Sequence, residues 1–472
     1  MGDGAARLNL QQFLSEHKFS RFQIGLYFML LIIQLFDGVA AAIAGLSKNY
    51  ISADWESTTG AAPNLGLALA AVQLGAAFGA IIAGPVADKL GRKNVVIIFG
   101  IICFASVVLT GFTNSPDLMM VVRFITGIGL GGSSANCIPL FAEYCPPKRR
   151  AFLTTLLTCG LPFGMGVAGV VGARIVSSVA DPHMGWRMFF WLMGGIPLLA
   201  TIAFFWFMPE SVRYMIYKGV PSDKIRATLS NIAPISPDVT SFESGEKAVT
   251  ADEKKAGMAL VMSKRFLPGT IMLWLTYFCG LIIVYSVGTW LPSLLTKAEF
   301  FPGGHAMSSP MAMVVTSLFS FGALAAILMG ALMDRRNPNL VLAISYGVAV
   351  VAIFAIGHSF GMVIVLAVLV FLGGTFIMSA QSSVAALAAL FYPAEGRATG
   401  VSWMIGVGKF GGFVGIMLVD ALLAASLGIA GILTVVAVVG LICVVALLVK
   451  NAIYPPARQV ADEAQAELIG VA

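Results

Sequence analysis

Charge is scarce in this chain: only 11% of its 472 residues are Asp, Glu, Lys or Arg, against 58% hydrophobic. A water-soluble protein of that length needs polar coats around its cores and could not hide so much apolar surface. Histidine is rare, with four, and the six cysteines (Cys103, Cys137, Cys145, Cys159, Cys279, Cys443) show no CxxC spacing. Neither a disulfide framework nor a zinc site is indicated, and no metal or cofactor is expected. A cleavable leader is also lacking. Met1 to Arg21 is polar, and the apolar run from Phe22 to Leu46 is too long for a leader's core and carries Asp37. No nucleophile, metal cluster or acid–base group gathers on the loops, which argues against an enzyme. The net charge of +6 comes from short basic clusters between apolar runs, with no continuous stripe to track a nucleic acid.

Long apolar runs are what the chain has in abundance. A hydrocarbon core of about 30 Å takes about 20 helical residues. Runs of that length begin near Phe22, Leu65, Asn94, Leu118, Ala151, Met188, Pro268, Met311, Leu340, Val363, Ala398 and Ile429. Lipid leaves helix as the only choice for them. The expected fold is an all-α membrane protein of about twelve transmembrane helices in two six-helix, pseudo-symmetric bundles. The bundles are expected at 22–208 and 268–450, flanked by an N-terminal segment at 1–21 and a tail at 451–472. Between them, 209–267 turns polar and reads as a tether. Basic clusters at Lys89-Arg92-Lys93, Lys148-Arg149-Arg150, Lys264-Arg265 and Arg335-Arg336 fall on one side, which the positive-inside rule makes cytoplasmic. Both termini and the tether are then cytoplasmic.

The two halves echo each other. Gly84-Pro85-Val86-Ala87-Asp88-Lys89 returns as Gly330-Ala331-Leu332-Met333-Asp334-Arg335, and Arg150-Ala151 returns as Arg397-Ala398 at nearly the same offset. A common register points to duplication, and duplicated halves are the architecture of secondary transporters.

Several segments carry a resemblance. The loop Gly84-Pro-Val-Ala-Asp88-Lys-Leu-Gly91-Arg92-Lys93, the fourth-helix segment Arg123-Phe-Ile-Thr-Gly127-Ile-Gly129 and Pro209-Glu210-Ser211-Val212-Arg213 resemble the major facilitator superfamily. Phe19-Ser-Arg-Phe-Gln23, Gly129-Leu-Gly-Gly-Ser-Ser-Ala-Asn136, Trp290-Leu-Pro-Ser-Leu-Leu, Ala380-Gln381 and Tyr392-Pro-Ala-Glu-Gly-Arg-Ala-Thr-Gly-Val are similar to its aromatic acid:proton symporters. The resemblance implies import of a small aromatic or related carboxylate with protons, through a bacterial inner-membrane protein acting as a monomer. Two positions depart from that family's pattern. Its first-helix Asp-Gly-x-Asp is here Asp37-Gly38-Val39-Ala40, and Lys409 stands where an arginine is common.

Counting 1.5 Å per residue from the cytoplasmic helix starts puts Asp37 about 22 Å deep, Tyr285 about 24 Å, Gln381 about 21 Å and Lys409 about 18 Å. An ionisable group at that depth costs roughly 2.5–3.5 kcal/mol on insertion scales and is a functional candidate by default. Asp37 is the candidate proton carrier and a substrate neighbour; a structural hydrogen bond or ion pair is its bland alternative. Arg123 either shares in proton coupling or packs and gates. Lys409 could hold a carboxylate as a point charge, or bridge to a buried acid. Tyr285 and Trp290 could stack on a planar ring, although an interface anchor is the better reading of Trp290 and Tyr285 is the better ring contact. Gln381 and Asn136 are amides that need partners wherever they are buried. Gly84, Asp88, Gly91, Arg92, Glu143, Arg150 and Asp334 are expected to form a latch made and broken as the halves rock. Two other functions compete: a proton-coupled efflux antiporter of drugs or metabolites, and a membrane sensor that binds a solute without moving it.

Overall fold

Each long apolar run folds as a helix, because a backbone in hydrocarbon satisfies its N–H and C=O groups only within the segment. The computed structural model describes residues 6–236, 239–243, 257–297, 306–359 and 362–455; among these, twelve helices are long and apolar enough to cross a membrane. The first six are Arg21–Thr59, Gly66–Leu90, Arg92–Thr110, Pro116–Tyr144, Pro147–Ser178 and His183–Phe207. The second six are Leu267–Leu294, Ser309–Arg335, Pro338–Gly357, Val363–Phe391, Thr399–Ala424 and Ile429–Ile453. The chain divides into two compact units, residues 1–248 and 249–472.

In the first unit, glycines let the second and fourth spans touch backbone to backbone. A Cβ at Gly127 would lie 2.1 Å from the Val72 carbonyl oxygen, and one at Gly75 would lie 2.1 Å from that of Phe124. Small residues at such crossings replace the hydrophobic drive that lipid removes.

The first span is longer than its apolar run. A capping box opens it: Gln23 N–H donates to Ser20 Oγ, and Ser20 N–H donates to Gln23 Oε1 at 2.7 Å. It runs 39 residues, past Leu46, to Gly60 at φ +77°. Its last turns are held by Asp54, which is 7% exposed. That carboxylate accepts from Trp186 Nε1 at 2.9 Å and Arg187 Nη2 at 3.2 Å, and meets His183 Nδ1 at 2.5 Å. Arg187 also donates to the carbonyls of Gly111 and Thr113 and to Asn114 Oδ1. Asp54 and Arg187 together therefore tie the first and sixth spans to the turn that follows the third.

The described parts of the polar stretch correct the tether reading. Helices Val212–Tyr217 and Ser222–Ser230 bury Val212, Met215, Ile225 and Leu229 in one apolar cluster with Leu10, Phe13 and Leu14 of the N-terminal segment. Strand β1 (Ala6–Asn9) pairs in parallel with β2 (Val239–Glu243). The polar appearance of residues 1–21 hid an amphipathic helix, Leu10–Glu16, whose three apolar side chains need this cover. Residues 237–238 and 244–256 of the expected tether, and 456–472 of the expected tail, lie outside the described residues.

Candidate functional site

Inside the first unit the centre is Asp37, fully buried at mid-length of the first span. Its Oδ2 accepts hydrogen bonds from Ser133 Oγ and Ser134 Oγ, both at 2.8 Å. The next residue explains how the first span fits there. A Cβ at Gly38 would fall 1.8 Å from the Leu161 carbonyl oxygen of the fifth span, so only glycine permits this crossing. Ser133 and Ser134 were not singled out from sequence. The available signal was their position beside Gly131-Gly132 in an otherwise apolar run, where a buried carboxylate needs hydroxyl donors.

Arg123 is also fully buried, and its Nη1 donates to the Ala40 carbonyl oxygen at 2.9 Å. That carbonyl belongs to the position where the symporter pattern has its second acid. Nε and Nη2 of Arg123 make no hydrogen bond among the described residues. Asn136 turns back on its own helix, donating to the Gly132 carbonyl at 3.0 Å.

In the second unit, polar groups meet on the seventh, ninth and tenth spans. Gln381, 7% exposed, accepts from the Tyr346 hydroxyl at 2.8 Å and donates from Nε2 to the Tyr277 carbonyl at 3.2 Å. Tyr285 lies half-buried further along the seventh span. Lys409, on the eleventh span, is half-buried and follows Gly408, where a Cβ would meet the Tyr277 ring at 2.1 Å. Trp290 is 1% exposed and donates from Nε1 to the Ile416 carbonyl at 3.1 Å. That geometry is a pin between the seventh and eleventh spans, not an interface anchor.

Two of the sequence motifs converge with Glu143 at one end of the first unit. Arg92 Nη1 pairs with Glu143 Oε1 at 2.6 Å, and Glu143 Oε2 accepts from Ser211 Oγ at 2.5 Å. Glu210 Oε1 accepts from the backbone N–H groups of Lys93 at 3.0 Å and Ser211 at 2.7 Å, while the Tyr144 hydroxyl donates to the Glu210 carbonyl. Gly91 makes this possible, since its φ is +91° and a Cβ there would lie 2.2 Å from Glu210 Oε2. Burial pushes the half-buried Glu210 carboxyl above the ordinary range, against the pull of the Lys93, Ser211 and Arg92 backbone N–H groups and the Lys93 charge.

Asp88, Asp334 and Gly84, also expected in the latch, stand apart from this cluster. Asp88 and Asp334 are exposed and make no hydrogen bond or ion pair among the described residues. Gly84 is exposed, with open space where a Cβ would sit. Arg150 is half-buried near Cys145. Glu210 and Ser211, which the sequence offered only as part of the Pro209–Arg213 motif, are central to the cluster.

The architecture and these buried groups define a membrane transporter built from two six-helix units. A family profile described as Major Facilitator Superfamily matches residues 26–416 and again 300–470. The chain is 36% identical over 451 residues to a 4-hydroxybenzoate transporter, PcaK, of Pseudomonas putida, spanning 94% of this chain and 96% of that one. It is 34% identical over 429 residues to a gallate transporter of the same species, spanning 90% and 91%. In structure it is similar to the inward-open xylose transporter XylE of E. coli, with TM-score 0.70 at 17% identity over 92% of this chain and 96% of that one. The chain belongs to the major facilitator superfamily. It is a transporter and not an enzyme.

Proposed function

We propose that the chain imports a small aromatic acid anion together with a proton, by alternating access across a bacterial cytoplasmic membrane. The observation that carries this reading is Asp37, a fully buried carboxyl at mid-span held by two neutral hydroxyls. Both donors are hydroxyls, which can donate to a carboxylate or accept from a carboxylic acid, so they suit either protonation state. The names of the 4-hydroxybenzoate and gallate transporters support an aromatic acid as cargo. Gln381, Tyr285 and Lys409 supply hydrogen bonds, a ring face and a positive charge to it. The proton gradient is the energy source, no cofactor takes part, the monomer is the working unit, and both termini lie in the cytoplasm.

A single acid at mid-membrane on the first span, Asp37, with Ala40 in the second position, makes the symport one monoanion with one proton. That stoichiometry is electroneutral, whereas each further proton adds about 2.3 kcal/mol per 100 mV of potential. The test is uptake of labelled 4-hydroxybenzoate into proteoliposomes. An inside-alkaline gradient drives accumulation, and clamping the potential with valinomycin leaves it unchanged. Accumulation that needs an inside-negative potential would sink the stoichiometry. Proton-driven extrusion would favour efflux, and binding without uptake would favour a sensor.

A further inference from the structure

We propose that Gln381, Tyr346 and Tyr277 form a subsite that reads a hydroxyl group on the ring of the cargo, and that Gly280 is the residue that positions it. The proposal rests on the aromatic-acid reading above and adds the part of the molecule that the second unit recognises.

Gly280 lies one helical turn beyond Tyr277 on the seventh span. A Cβ there would stand 1.9 Å from Gln381 Oε1, 3.0 Å from its Cδ and 2.8 Å from the Tyr346 hydroxyl. The absent side chain is therefore the space that the carboxamide and the phenol occupy. Tyr346, fully buried on the ninth span, donates to Gln381 Oε1 and so fixes which way the amide faces. Nε2 then points toward Tyr277, donating to its carbonyl at 3.2 Å, and the Tyr277 hydroxyl lies within reach of the same carboxamide.

Every group in this cluster is neutral. A carboxamide offers both N–H and C=O, and each phenol both donates and accepts. Such a set matches a neutral hydroxyl, which also donates and accepts. A carboxylate only accepts, and gains no opposite charge from these side chains. Tyr277 is half-buried, and its ring packs against Gly408, beside Lys409 on the eleventh span. A ring hydroxyl can exchange hydrogen bonds with this set in place of a bond such as that from Nε2 to the Tyr277 carbonyl, whereas an unsubstituted ring offers it none, and such a difference separates substrates strongly.

The experiment compares transport of 4-hydroxybenzoate and benzoate by wild type, Gly280→Ala and Tyr346→Phe. The first variant displaces only the far end of the Gln381 side chain; the second removes one hydroxyl and covers a failure of the first to fold. Both are expected to raise the KM for 4-hydroxybenzoate about tenfold or more. The KM for benzoate should stay within about twofold, which is about 0.4 kcal/mol at tenfold per 1.36 kcal/mol. Equal losses on both acids at normal membrane levels, or unchanged selectivity, would overturn the subsite. So would a wild type that does not distinguish the two acids. Failure of wild type to move either acid would overturn the aromatic-acid reading itself, which separates the two ideas.

Discussion

Arg92 and Glu143 are joined by an ion pair, Nη1 to Oε1 at 2.6 Å, across 51 residues of chain. Glu143 is 3% exposed and Arg92 33%, so the acid is the member that depends on the pairing. Removing Arg92 leaves a buried carboxylate with Ser211 as its remaining hydrogen-bond donor in this cluster, and stranded buried charges are costly. Arg92→Gln is expected to lower maximal uptake about tenfold, a loss of about 1.4 kcal/mol. In the Arg92→Gln/Glu143→Gln double variant the losses should not add, with a coupling of about 0.5–3 kcal/mol. Strict additivity in uptake and in thermal stability would separate the pair from the transport cycle.

Asp88→Asn tests the loop acid that stands outside that cluster. It is exposed and contributes nothing visible to the first unit, so the thermal stability of the purified protein should be unchanged within about 0.5 kcal/mol. Turnover should slow with little change in substrate affinity. A selective rise in the dissociation constant would count against a latch.

Asp37→Asn should remove proton-driven accumulation and leave exchange of labelled for unlabelled substrate. The hydroxyls give a finer test. Ser133→Ala or Ser134→Ala alone removes one of two donors to Oδ2, and a hydrogen bond to a charged group is worth about 1.5–3 kcal/mol. The double variant should lose accumulation far more than either single one. Accumulation at the wild-type level in Asp37→Asn would rule it out as the coupling acid.

Glu210 predicts a pH dependence whose sign follows from its raised pKa. A carboxyl raised on folding favours the protonated state. Its contribution to stability is present below the ordinary glutamate range and is lost as pH rises through the raised value. Glu210→Gln should therefore flatten the fall in Tm across that window, measured on the detergent-purified protein. An unchanged pH profile would show that the burial of Glu210 is offset by its backbone donors.

Lys450, 1% exposed on the twelfth span, donates to Asn339 Oδ1 at 2.9 Å and stands 4.7 Å from the centre of the Phe391 ring. Replacing a buried cation with an apolar side chain of similar length is often neutral or stabilising, whereas removing its partner is not. Lys450→Met should leave Tm unchanged or raise it, and Asn339→Leu should lower it. The reverse order would mean that the ammonium group is held by more than this amide and ring.

The sequence by itself determined the class. Uninterrupted apolar runs of membrane length can only be helices in lipid, and the duplicated Asp88 and Asp334 loops mark two related halves. It also pointed to Asp37 and Gln381, because a polar group inside such a run is costly wherever it ends up. Partnership was not legible. Ser133 lies 96 residues from Asp37, Tyr346 lies 35 from Gln381, and Glu210 reaches Lys93 across 117. Helix rotation and crossing decide those meetings, and they are set by close-packed glycines such as Gly38 and Gly280, whose importance depends on what lies opposite. The polar N-terminal segment and tether misled for the same reason. Three apolar side chains on a short helix look incidental until a second segment covers them, so only the tertiary structure showed that Leu10, Phe13 and Leu14 belong to a core.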